Sequence, residues 1–291
     1  MFHSEPDVVV VGAGPVGLFT ALNVVSRGHR VRIIDKEWRP TAHSYALALH
    51  AESLEFLEEF SLLGPVLASS RRIRRVGFYD GDDRFACVDL RALRRDHSFV
   101  SVLRQDLLER LLVDALAARG VKVMWNHELA GLQQTDDGVE VVVDKLAREG
   151  LGYAVEHGEW VVQRTKTMRP AFVIGTDGHR SRVRNASGIE WPETGPVQHF
   201  AVFEFRTDAD LGDEMRIMLH DGLQNVVWPM PEGYSRWSFE VAGDDAPGVS
   251  RIKDRADVQL GGVDYPVLAA DSLGQFLHIR APWFRGTVDD V

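Results

Sequence analysis

A short apolar run at residues 8–11 passes directly into Gly12-Ala13-Gly14-Pro15-Val16-Gly17, and a largely apolar helical stretch then runs to Gly28. A second apolar run follows and ends in Asp35-Lys36. Strand, glycine turn, helix, strand and acid in that order leave few folds open. They predict a parallel α/β sheet whose first turn grips the pyrophosphate and ribose of a dinucleotide.

Each residue type has its physical reason. Gly12 permits a tight turn out of the strand. Gly14 lets the backbone approach a pyrophosphate, and Gly17 lets the helix pack on the strands. Pro15 suits the first turn of a helix. The free N–H groups of that turn, Val16 among them, carry the positive end of the helix dipole toward an anion. Asp35, beside Lys36 at the end of the second strand, can accept both ribose hydroxyl protons. The competing reading is a glycine turn that binds nothing. The preceding strand, Gly28 as helix stop and the acid about twenty residues on count against it.

A chain of 291 residues has room for one or two domains. Its formal net charge of −10 argues against nucleic-acid binding, which needs a basic face. Two basic clusters do occur, Arg71, Arg72, Arg74 and Arg75, then Arg91, Arg94 and Arg95. They read either as solvated surface or as a landing site for a second nucleotide. Cys87 is the only cysteine, so no intramolecular disulfide or thiolate metal cage is expected, and a reducing cytoplasm fits. The eleven histidines lack metal-ligand spacing, and no metal is expected. Residues 8–25 are apolar, but Glu5 and Asp7 precede them and glycines and proline interrupt them. Neither a signal peptide nor a membrane span is expected.

Further along, residues 53–62 read as a helix stopped by Gly64-Pro65. Residues 76–90 read as a hairpin around Asp80-Gly81-Asp82. Residues 106–119 have the clearest helical period, with Gly120 at the stop. Residues 121–125, 130–134, 139–143 and 171–175 read as strands, and 144–158 as a charged surface excursion or hairpin tip. After Gly188 comes a largely antiparallel sheet, with strands near 200–205, 215–219, 225–228 and 235–241. A helix is expected within 265–277. The expected organisation is an α/β dinucleotide-binding domain of residues 1–75 and 100–190. Interleaved with it is a smaller β-rich domain of residues 76–99 and 191–291, with a cleft between the two.

Two further stretches carry chemistry. Arg104-Gln105 opens the long helix, where donors suit a phosphate or a ribityl chain. The strand ending in Gly175-Thr176 runs into Asp177-Gly178, with Arg180, Arg182 and Arg184 opening another helix.

Together these motifs resemble the flavin-dependent aromatic monooxygenases of the para-hydroxybenzoate hydroxylase type. The Ser44-Tyr45-Ala46-Leu47-Ala48-Leu49-His50 segment, Met230-Pro231-Glu232-Gly233 and Arg280-Ala281-Pro282-Trp283-Phe284 are similar to segments of that family in the same order. The resemblance implies that Gly12, Gly14, Pro15, Val16, Gly17, Asp35 and Lys36 hold the adenosine half of FAD. It implies that Arg104 and Gln105 contact the flavin nucleotide, and that Asp177 and Gly178 serve FAD and NAD(P)H. NAD(P)H would reduce FAD, O2 would add to the reduced flavin, and the flavin hydroperoxide would hydroxylate an electron-rich ring. Weak candidates for a base that activates a phenol are Tyr45, His50, His220 and Tyr234; a hydrogen-bonded structural His or Tyr is the commoner case. Phe203, Phe205, Trp228, Trp237 and Phe239 read equally as pocket wall or core. A small aromatic substrate and O2 are the expected partners, and the chain allows a homodimer.

Two departures stand out. The family usually has arginine where Tyr45 stands. Its Gly-Asp motif, expected after Trp283-Phe284, is absent, and Gly243-Asp244-Asp245-Ala246-Pro247-Gly248 reads as a loop rather than as that motif. A fragment of a longer enzyme is therefore expected. The alternatives are another FAD-dependent oxidoreductase of the same fold (a reductase or halogenase), a nicotinamide dehydrogenase, and a truncated nucleotide-binding chain without catalysis.

Overall fold

The structure is a computed structural model that describes residues 5–40, 48–93, 95–150, 158–192, 194–195, 198–241 and 270–291. The chain divides into two compact units. Met1–Leu47 with Arg104–Glu193 forms one, and Ala48–Leu103 with Thr194–Val291 forms the other. Residues 48–75 thus fall in the second unit. The strand Val100–Val102 holds them there by pairing with both Ala48–Leu49 and Arg71–Ile73.

In the first unit, Val8–Val11 is the central strand of a three-stranded parallel sheet, between Phe172–Gly175 and Val31–Ile34. All four of its residues are buried. A run of β-branched residues with no polar alternation is what a strand covered on both faces requires. The helix Pro15–Ser26 buries Gly17, Leu18, Ala21 and Leu22. Gln105–Ala117 buries Gln105, Leu108, Glu109, Leu112 and Leu116. A separate antiparallel sheet runs Gly158–Met168, Gly138–Gly150, His127–Thr135. Val9, Val11, Ile34, Leu129, Val141, Val143 and Met168 form one core.

Three expectations are corrected here. Residues 121–125 form no strand: Met124 makes a single bridge to Ile34, and from Asn126, at φ 58°, the contact continues only as irregular backbone hydrogen bonds, the Asn126 N–H to the Glu37 carbonyl and the His127 N–H to the Asp35 carbonyl. The charged stretch from 144 is strand as far as Gly150, because Val141, Val143 and Leu146 face the core. Polar groups on its exposed face pair across the ladder, as Thr165 does with Asp144 at 2.6 Å; residues 151–157 lie outside the described residues. Gly64-Pro65 does not end a helix. The first helix is Ala51–Glu58, and Gly64-Pro65 sits at the start of a second, Leu63–Ala68, where proline's missing N–H costs nothing.

The second unit is built on a six-stranded sheet in the order His199–Arg206, Tyr234–Val241, Leu223–Pro229, Glu214–His220, Arg75–Asp80, Asp83–Asp89. All its pairings are antiparallel except Glu214–His220 on Arg75–Asp80, which is parallel. Phe203, Phe205, Trp237 and Phe239 are core, packed with Phe276 of the helix Ala270–Arg280. Trp228 points to the other face and is half-buried. Residues 242–269 lie outside the described residues, and with them the loop at 243–248 and the first part of the expected 265–277 helix.

Candidate functional site

The glycine turn of the first unit is an interlocked knot with one open place. Gly12 has φ 100°, and a Cβ there would stand 2.5 Å from the Thr176 carbonyl oxygen. A Cβ on Gly17 would stand 1.8 Å from the Gly12 carbonyl oxygen and 2.6 Å from Thr176 Oγ1. The Thr176 hydroxyl seals the same junction, donating between the carbonyls of Val11 (2.8 Å) and Gly12 (2.9 Å). Gly14 differs. Among the described residues, nothing beyond its own chain neighbours comes within 4 Å of a Cβ placed on it. Its backbone, φ −70° and ψ 179°, is one any residue adopts. Its lack of a side chain therefore serves no packing or backbone need among the described residues.

Pro15 is the first residue of the helix, and the first turn carries no acidic side chain. Within its own first turn the helix therefore carries no charge that offsets its dipole or its free amides. Val16, in that turn, is 68% exposed. At the end of the neighbouring strand, Asp35 Oδ2 accepts from the Ala13 N–H at 2.5 Å and Oδ1 from the Glu37 N–H at 2.8 Å. A carboxylate oxygen has two lone pairs, so each still has one for a hydroxyl. Burial pushes the Glu37 carboxyl above its ordinary value, opposed by Lys36 and reinforced by Asp35.

The other expected ligands fall into two kinds. Arg104 caps the long helix through its backbone, and its Nε lies 3.6 Å from Asp106, with the side chain 45% exposed. Gln105 is buried and donates to Glu109 at 2.8 Å. Asp177 is engaged by the start of the short helix that follows it, Arg182–Ala186 with Ser181 as N-cap. Ser181 Oγ donates to its Oδ1 at 2.6 Å, and the N–H groups of Arg182 (2.6 Å) and Val183 (3.3 Å) donate to its Oδ2. Gly178 follows at φ 76° with open space around it. Replacing Asp177 by Ala is expected to cost about 1–2 kcal/mol, the worth of a helix cap, read as a lower urea midpoint. A midpoint unchanged within error would contradict this.

Of the candidate bases, Tyr45 lies outside the described residues. His50 is exposed and stands at the N-cap of Ala51–Glu58. His220 ends the strand Glu214–His220 and pairs with Leu223; Tyr234 opens the strand Tyr234–Val241 and donates its hydroxyl to Asp290. The two stand at opposite ends of Leu223–Pro229, about 20 Å apart at ~3.3 Å per residue, and cannot share one proton transfer. Sequence reasoning missed Thr176 and Glu109. Glu109 had a sign: it is a charged residue on the face that also carries Leu108 and Leu112.

Over residues 5–241 the sequence matches the family described as FAD binding domain. It is 33% identical over 270 residues to rifampicin monooxygenase of Streptomyces venezuelae, covering 93% of this chain and 49% of that protein. It is 30% identical to pentachlorophenol 4-monooxygenase of Sphingobium chlorophenolicum, covering 65% of this chain and 32% of that one. Among solved structures, aklavinone-11 hydroxylase with FAD and aklavinone superposes with a TM-score of 0.71 at 19% identity, covering 100% of this chain and 53% of that one. The chain therefore spans about half the length, or less, of the relatives it matches. Among the described residues no helix is long and apolar enough to cross a membrane.

Proposed function

Since this chain belongs to the FAD binding domain family, we propose that it works in an FAD- and NAD(P)H-dependent monooxygenase that hydroxylates an aromatic, phenol-like substrate with O2. The observation that carries the reading is Gly14: a glycine with room for a side chain, at a helix N-terminus whose first turn carries no acid, inside a turn whose other glycines are locked by packing. That is a cradle for a pyrophosphate.

In this reading the Gly12–Gly17 turn and the helix it opens hold the pyrophosphate, and the free lone pairs of Asp35 take the adenosine ribose hydroxyls. Lys36 and the exposed Arg104 guanidinium add positive charge for phosphate. Gln105, fixed by Glu109, presents its backbone at the start of the long helix. Asp177 acts as a positioning residue that sets the turn at Gly178. Bound FAD supplies the chemistry the side chains lack, accepting reducing equivalents from a nicotinamide and passing one oxygen atom of O2 to an electron-rich ring. The chain's own part is to bind, orient and exclude water. A reducing, cytoplasmic setting, in keeping with the exposed thiol of Cys87, and a homodimer belong to the same proposal.

The test is NAD(P)H oxidation by the native protein with FAD, with and without a panel of phenols, under labelled O2. Phenol-accelerated oxidation with one labelled oxygen in the product is expected. FAD uptake with no effect of any phenol would overturn the monooxygenase reading and leave a nucleotide-binding chain. A Gly14→Ala variant is expected to keep the wild-type urea midpoint within about 0.5 kcal/mol of stability and to bind FAD about tenfold more weakly.

A further inference from the structure

The six-stranded sheet of the second unit ends in an open strand. Asp83–Asp89 pairs with Arg75–Asp80 on one side and is the last strand of the sheet on the other. Every residue from Asp83 to Val88 is exposed. Phe85-Ala86-Cys87-Val88 therefore sets four consecutive apolar side chains in solvent, with Phe85 60% and Val88 49% exposed. An unpaired edge that bears an apolar run is a template for another strand, and folded proteins usually cover it or break it with charge. Here a bulge at Phe85 interrupts the ladder near its start and leaves Ala86–Asp89 regular.

The existing ladder fixes which backbone groups are free. Leu90 donates its N–H to the Arg74 carbonyl at 2.9 Å, in phase with the pairs Val76–Val88 and Phe78–Ala86. Antiparallel pairs alternate, so Cys87 and Asp89 turn their N–H and C=O groups to the open side. A second copy of the strand, laid antiparallel across a two-fold axis, can pair these groups in three registers. Cys87 on Cys87 sets Ala86 opposite Val88 and brings the Asp83 end of each strand beside Arg91 of the other copy. Cys87 on Asp89 sets Asp83 opposite Leu93, and Asp89 on Asp89 brings two carboxylates face to face. The charges select the first register. Asp80, Asp82 and Asp83 make an exposed acidic end with no ion pair among the described residues. At the other end Arg91, its side chain 63% exposed, binds Asp89 of its own chain through Nε and Nη2. Its Nη1 is left to donate to a carboxylate across the axis. The strand is thus acidic at one end and cationic just past the other, which makes it complementary to a reversed copy of itself.

We propose that Asp83–Asp89 is the seam of a homodimer, in which two copies of this chain join edge to edge and antiparallel about an axis at Cys87. The backbone groups of Cys87 exchange reciprocal hydrogen bonds, Ala86 and Val88 of the two copies pack together, and each acidic turn meets Arg91 of the other copy. The sheet then runs on through both copies and the apolar run is covered. The inference rests on the homodimer of the proposed function and on none of its flavin chemistry.

Sedimentation velocity of the native chain from about 1 to about 100 µM tests this, with FAD uptake followed on the same samples. A reversible monomer–dimer equilibrium is expected, and a short bismaleimide should trap the dimer through Cys87, the only cysteine of the chain. Val88→Lys should weaken dimerisation at least about tenfold and keep the wild-type urea midpoint, because the side chain is exposed in the single chain. Cys87→Pro removes an N–H that only the second copy uses, and should weaken it as much. Arg91→Glu should weaken it about tenfold, and Asp83→Arg added to it should restore it. Within one chain Arg91 pairs with Asp89 and not with Asp83, so that rescue reports the contact between copies. A chain that stays monomeric throughout, or a dimer that neither Val88→Lys nor Cys87→Pro weakens, overturns the proposal. Failure of Asp83→Arg to rescue Arg91→Glu overturns the register. FAD uptake by a monomer removes this seam alone, and a dimer without FAD uptake removes the monooxygenase reading alone.

Discussion

A Gly17→Ala chain is expected to lose FAD uptake and on the order of 3 kcal/mol of stability together. The added Cβ would stand 1.8 Å from the Gly12 carbonyl oxygen, a distance no rotamer change relieves, because both atoms belong to the backbone frame. The helix Pro15–Ser26 must then lift from Val8–Val11 or the turn must open. Opening the turn strips the Thr176 hydroxyl from the carbonyls of Val11 and Gly12. Either response displaces the amides that would face a pyrophosphate. Urea unfolding and an FAD titration on one preparation check both halves. A Gly17→Ala protein with the wild-type midpoint would show that this close approach is not part of the fold. The contrast with Gly14→Ala separates a glycine needed for packing from one needed for a ligand.

Trp237→Ala is expected to cost about 3–5 kcal/mol. The side chain is fully buried at the centre of the aromatic core. Its ring centroid lies 6.0 Å from Phe205, 5.9 Å from Phe239, 5.7 Å from Trp283 and 5.1 Å from Phe284. Truncation empties a space bounded by aromatic rings that cannot all close in, and it leaves the Ser235 hydroxyl without the indole N–H that donates to it at 3.0 Å. Trp191→Ala is the control. That ring is 70% exposed and held by one cation–π contact to Arg184 at 4.8 Å, so its loss should stay near 0.5 kcal/mol. Equal effects from the two tryptophans would contradict the placement of the core.

The parts of this fold that can be read locally were legible. Val8–Val11 and the glycine turn, the Gln105–Ala117 helix and the hairpin at Asp80-Gly81-Asp82 each carry their period and punctuation within a dozen residues. What escaped depends on distant pairing. Whether residues 121–125 form a strand is decided by how far they run beside Val31–Ile34, and they make one bridge there, from Met124 to Ile34. The charged stretch after 144 is strand because Gly158–Met168 lies against it, and nothing within the stretch says so. Gly64-Pro65 fits both a helix stop and a helix start, and the next turn decides. The site divides the same way. Gly14 was readable from its motif. The use of Asp177 as a helix cap needed the position of Ser181, and, outside the site, the open edge at Asp83–Asp89 needed a sheet order that joins residues more than a hundred positions apart.

In the proposed function the first unit holds the adenosine diphosphate half of FAD. Equilibrium titration of the chain with FAD, in competition with ADP and separately with FMN, tests it most directly. The structure predicts that FAD binds, that ADP displaces it, and that FMN, which lacks the adenosine half, does neither. FMN binding as tightly as FAD, or FAD binding indifferent to ADP, would contradict the account.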